Sequence, residues 1–96
     1  MTNPTTGGHP DLKMVNSNAA AIDIGSTMHM AAVHPDACDM PVRAFGTFTQ
    51  DLHALAAWFK SCGVTSVAME STGVYWIPAF EILEAHGLHV ILVNAR

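Results

Sequence analysis

VRAFGTFTQDLHALAAWFKSCGVTSVAME, residues 42–70, changes its hydrophobic period twice, and those changes decide the fold. Residues 42–48 alternate as a β-strand does, with Val42, Ala44, Gly46 and Phe48 on one side. From Thr49 the spacing becomes helical: Leu52, Leu55, Ala56, Phe59 and Cys62 fall on one stripe. Thr49 is placed to cap that helix, Asp51 suits its first turn, Lys60 its last, and Gly63 its end. TSVAME, residues 65–70, is another short apolar strand, and it ends on a glutamate. A buried carboxylate is costly unless it is paired, protonated or bound to a metal, so Glu70 demands a partner.

Working outward, AAAIDI (19–24) reads as a strand buried on both faces, ending at Asp23-Ile24-Gly25. A polar turn leads into TMHMAAV (27–33), its hairpin partner, and HPDACDMP (34–41) turns the chain again. Downstream, Pro78 suits the first turn of a second helix, in which Ala79, Ile82, Leu83 and His86 share a face before Gly87 ends it. LHVILV (88–93) is the final strand. The order β-β-β-α-β-α-β predicts an α/β domain: an antiparallel meander, parallel strands joined by crossovers, and helices packed on a mixed sheet. That succession is ribonuclease-H-like, and analogy with that fold places the first strand centrally with the fourth beside it. Residues 1–18, rich in Thr, Asn, Gly and Pro, read as a flexible leader to a domain spanning 19–96.

Composition narrows the class. Ninety-six residues leave room for one core. Half the residues are hydrophobic and 12% are charged, which suits a buried sheet and surface covered by further protein. A net charge of −4 provides no long-range attraction for nucleic acid, and Arg43 and Lys60 are too sparse to form a basic stripe. No apolar run approaches the ~20 residues of a membrane span and no signal peptide is visible, so a soluble cytoplasmic protein with reduced thiols is expected. His34, Cys38 and Cys62 fit no standard zinc spacing and read as a loop histidine and buried cysteines. His29 and His89 suit a polar edge or a core niche, and Met28, Met30 and Met69 suit packing.

Asp23 and Glu70 both sit at the C-terminal ends of apolar strands. If those strands are parallel neighbours, about 4.8 Å apart, the carboxylates lie side by side, close enough to recruit a cation between them. Hard oxygen ligands suit Mg²⁺ or Mn²⁺. The alternative is that each merely ends its strand in solvent. Ser71, Thr72 and Gly73 offer hydroxyl and backbone N–H groups either to a nucleic-acid phosphate or to the cap of the next helix. Tyr75 and Trp76 can stack on bases, although packing of a helix onto its sheet is the commoner use.

IDIGSTMHMAAV (22–33), ESTGVYW (70–76) and the closing LVNAR (92–96) resemble a family of insertion-sequence transposases with a resolvase-like DEDD domain. That family includes the pilin-gene-inverting and the bridge-RNA-guided recombinases. The resemblance covers about residues 19–96. It implies that Asp23 and Glu70 are the first D and the E of the DEDD set, holding Mg²⁺ or Mn²⁺ for DNA strand cleavage and transfer. It also implies DNA partners (element ends and target), a guide RNA in some members, and a homo-oligomer. The last two aspartates are expected in a D-x-x-D helix after VNAR, and the serine nucleophile in a separate carboxy-terminal domain. The 96 residues stop before both, so they are expected to be inactive alone. Two other classes compete. Ile22-Asp23-Ile24-Gly25-Ser26-Thr27 is similar to the first phosphate loop of actin-like and sugar-kinase ATPases, and a truncated module could dimerise without catalysis.

Overall fold

The computed structural model describes residues 18–94. Seven elements follow the expected order: β1 (Ala19–Asp23), β2 (His29–Val33), β3 (Val42–Phe45), α1 (Thr49–Ser61), β4 (Ser66–Ser71), α2 (Trp76–Ala85) and β5 (His89–Asn94). The sheet order is β3-β2-β1-β4-β5, antiparallel across the first two pairings and parallel across the last two. The first strand is central with the fourth beside it, and the α/β, ribonuclease-H-like class is the one observed. The leader expected over 1–18 lies outside the described residues except for Asn18. That residue accepts from the Thr65 N–H at 2.8 Å and donates from Nδ2 to the Gly63 carbonyl at 2.8 Å.

Both crossovers, β3-α1-β4 and β4-α2-β5, step in the same direction across the sheet. Right-handed connections then place both helices on the same face. Ala20, Ile22, Ala31, Val33, Val67, Met69 and Val90 from that face meet Leu52, Leu55, Phe59, Ala79 and Leu83 from the helices in one core. The other face is not covered by any described element. This corrects the expectation that β1 is buried on both sides: Ala20 and Ile22 are buried, Ala19 and Ala21 are half-buried, and Asp23 is exposed.

The same geometry settles β3, which is shorter than expected. Arg43 and Phe45 pair with Ala31 and His29 on the helix side. The stripe Val42, Ala44, Gly46 and Phe48 therefore does not form the core: Val42 lies on the uncovered face, and Phe48 is 73% exposed beyond the strand. Buried Phe45 packs on Trp58 at 5.6 Å between ring centroids, and the Arg43 guanidinium lies over both rings.

Helix ends follow local rules with one correction. Thr49 is already helical and does not cap α1. Phe48 occupies the cap position, and its N–H donates to Asp51 Oδ2 at 3.1 Å, so a carboxylate three residues in does the capping. At the other ends Gly63 (φ 78°) and Gly87 (φ 90°) adopt the left-handed conformation. The bonds Val64 N–H to Phe59 O and Leu88 N–H to Leu83 O complete the same glycine stop twice. Lys60 Nζ reaches the His86 carbonyl at 2.9 Å, which ties α1 to the end of α2. Among the described residues no helix is long and apolar enough to cross a membrane.

Candidate metal centre

β1 and β4 run parallel in a register that sets Ile22 opposite Met69 and Asp23 opposite Glu70. The Ile24 N–H donates to the Glu70 carbonyl at 2.8 Å, carrying the ladder one step past the acids and locking their alignment. Ile22 and Met69 point under the helices, so the next residues, Asp23 and Glu70, emerge together on the uncovered face. Both are exposed, and with Ala21, Met30, Ala68 and Val93 they line a depression of about 240 Å³. Glu70 is thus not a buried charge. The strand is apolar on one side only, and the glutamate belongs to the other.

The turn after Asp23 is held from beneath. Gly25 has no room for a side chain, because a Cβ there would run into the Met28 carbonyl. Its N–H donates to His29 Nδ1 at 3.2 Å, so the neutral ring carries its proton on Nε2. His29 is 2% exposed, a core niche, and burial pushes its pKa below the ordinary histidine value. Its folded pKa is depressed, so the unfolded chain binds more protons as the pH falls. Its contribution to stability is complete above the unfolded value of about 6.5 and is lost as the pH drops through the folded one. Thermal melts at pH 7.5 and 5.5 should show a lower midpoint in acid. His29→Asn, which keeps an acceptor near the Nδ1 position, should shrink that difference by a few degrees. An unchanged difference would place the acid sensitivity elsewhere.

Neither described basic side chain serves the acids. Arg43 is engaged by Phe45 and Trp58, and Lys60 by the His86 carbonyl. Among the described residues no group of three His, Cys, Asp or Glu forms a metal cluster. Two adjacent, exposed carboxylates fit a hard divalent cation as part of its oxygen shell. Further oxygen ligands would have to come from water, a substrate phosphate or carboxylates other than these two.

The other candidate residues separate in space. Ser71 points to the helix side and is buried, with Oγ 3.4 Å from both the N–H and the carbonyl oxygen of Gly73. Thr72 and Gly73 are exposed in the turn, and with Trp76 and Val93 they line a second depression. Val93 borders both depressions, so the turn adjoins the acids across that side chain. Tyr75 does not join them: it is 57% exposed and lines a cleft with Ser26, His29 and Thr47. Trp76 packs edge-on against Phe80 at 5.6 Å. The roles of Val93 and of the Gly25–His29 prop were not legible in the sequence. A glycine two residues after Asp23 was the only local hint.

No curated protein matches the chain significantly. A family model described as transposase, of the DEDD IS110 type, matches residues 20–96, from β1 through both acidic strand ends to the last residue. The chain belongs to the DEDD transposase family, of which it carries the amino-terminal domain segment.

Proposed function

We propose that this chain supplies Asp23 and Glu70 to a divalent-cation site, for Mg²⁺ or Mn²⁺, at which a transposase cleaves and transfers DNA strands. The observation that carries this reading is the in-register pairing of the two acids on one exposed face, in a chain of a transposase family. When bound, the cation would offset charge on the scissile phosphate and favour departure of the 3′-oxygen. The carboxylates would hold it and so orient that phosphate. The Thr72 hydroxyl and nearby turn amides are available to an adjacent phosphate oxygen, while buried Ser71 shapes the turn. Tyr75, in its separate cleft, would meet a more distant part of the nucleic acid.

The partners are the element ends and target DNA, with a guide RNA as in some relatives and a second copy of the chain. Exposed Met30, Val42 and Ile91 on the uncovered face support further protein against it. A DNA substrate supports a cytoplasmic protein. With a net charge of −4 the segment contributes little to DNA affinity, which then rests on other parts of the assembly. Among the described residues no third carboxylate joins these two, which favours a companion reading: the 96 residues alone fold without cutting.

Labelled element-end DNA, incubated with Mg²⁺ or Mn²⁺, tests both. A version extended past Arg96 should cut it, and the 96-residue chain should not. Cleavage by the extended version that survives Asp23→Ala would reject the site. Cleavage by the short chain would show that two carboxylates suffice. Thermal stabilisation by ATP with no effect of DNA would favour the kinase-like alternative instead.

A further inference from the structure

On the helical side of the sheet, away from the exposed carboxylates, two histidine rings from different helices meet. His53 lies in the second turn of α1, and His86 is the residue that closes α2. His53 Nδ1 and His86 Nε2 are 2.9 Å apart, with ring centroids separated by 5.1 Å and the planes tilted by 57°. Both backbones are held. The helices share one core through Leu52, Leu55, Ala79 and Leu83, and Lys60 Nζ donates to the His86 carbonyl at 2.9 Å. His53 is exposed and His86 half-buried, so ions in solution reach the pair. In the neutral pair one ring nitrogen donates its proton to the other, so each ring turns a nitrogen toward the same point.

We propose that His53 and His86 form a two-imidazole site for a borderline divalent transition-metal ion such as Zn²⁺, which clamps α1 to α2. Imidazole nitrogen suits such ions, whereas Mg²⁺ takes oxygen, so this site and the carboxylates select different metals. A tetrahedral ion with metal–nitrogen bonds of about 2.0–2.1 Å holds two ligating nitrogens roughly 3.3 Å apart. The observed 2.9 Å falls short of that by a few tenths of an ångström. Small side-chain rotations supply the difference while the helices stay fixed. The ion takes the place of the shared proton. The ring that donated through its inner nitrogen carries the proton on its outer nitrogen instead, by exchange with water, and no proton is gained or lost overall. The ion then sits at the C-terminal end of α2, where unpaired carbonyls favour positive charge. Among the described residues no third His, Cys, Asp or Glu completes the set, which leaves the remaining positions open to water.

Zn²⁺ titrated calorimetrically into the 96-residue chain, with millimolar Mg²⁺ present to occupy the carboxylates, is the test. His53→Ala and His86→Ala should each remove the same binding event, of one ion per chain, or weaken it by about tenfold or more. Zn²⁺ at about ten times its dissociation constant should raise the thermal midpoint by roughly 5–10 °C, in a chain that stays monomeric. That increment, and not the midpoint itself, is the readout, so a variant that is only less stable is not mistaken for one that has lost a ligand. His53→Gln keeps a hydrogen-bonding side chain opposite His86 but no imidazole, and it should lose the increment as fully as His53→Ala. His34→Ala, at a histidine 3.8 Å from the Asp36 carboxylate, should keep it. An increment that survives His53→Ala, that further Mg²⁺ reproduces, or that comes with a Zn²⁺-dependent dimer would overturn the proposal. So would a midpoint that Zn²⁺ leaves unchanged.

Discussion

Asp23→Ala, made in the extended transposase, should lower cation-dependent cleavage of element-end DNA by about 10³-fold, roughly 4 kcal/mol of transition-state stabilisation. The same change should leave the thermal midpoint unaltered or raise it by a degree or two. The acids are exposed, in register and without a cationic partner among the described residues, so removing one relieves repulsion across the strand pair. Loss of activity with no loss of stability is the signature of a ligand; a residue that merely ends its strand would affect neither. Glu70→Ala should match it. The double variant should be scarcely worse than either single one, because both carboxylates serve one cation. Additive losses would mean that they act separately. Manganese binding by paramagnetic resonance should weaken in parallel, which distinguishes a lost cation from a displaced DNA strand.

Phe59→Ala should have the largest effect on folding. The ring is fully buried, stacked at 5.6 Å on Trp58, in the core beneath the sheet. Deleting it removes apolar contact and leaves a cavity, costing about 3–5 kcal/mol. For a domain of this size that is a fall of roughly 15–30 °C in the thermal midpoint. Phe48→Ala is the paired control, because that ring is 73% exposed and should shift the midpoint by only a degree or two. Similar losses from the two would show that α1 is rotated from the orientation described.

These phenylalanines show how far the sequence could be read. Leu52, Leu55, Ala56 and Phe59 announce their stripe through spacing alone, because a helix imposes its period on neighbouring residues. Phe45 and Phe48 carry no such mark. Alternation in β3 says that its two sides differ, but it does not say which side meets the helices. Val42, Ala44, Gly46 and Phe48 were as plausible a stripe as the one bearing Phe45, until pairing with β2 put Phe45 beside His29. The cap moved for a related reason. Thr49 has the preferred side chain, but Asp51 reaches back to the Phe48 amide and starts the helix one residue earlier in effect.

The candidate site divides in the same way. That Asp23 and Glu70 end apolar strands is visible in the chain, and that the strands are parallel follows from the crossovers. Whether the acids meet depends on a register in which a shift of one residue would turn one of them into the core. Tyr75 stands only five residues from Glu70, yet the turn carries it to the helix side of the sheet. Cys38 and Cys62 looked unrelated by spacing, and both pack against the edge of the one core.

By itself, the sequence determined the seven elements and their order, the glycine stops, the crossover-imposed parallel strands and the acidic strand ends. Those depend on periodicity, caps and chirality, which act between near neighbours. Only the tertiary structure decided that both helices share one face and that Asp23 opposes Glu70 on the other. Those depend on strand register and on the direction of successive crossovers, which bring together residues that no local pattern connects.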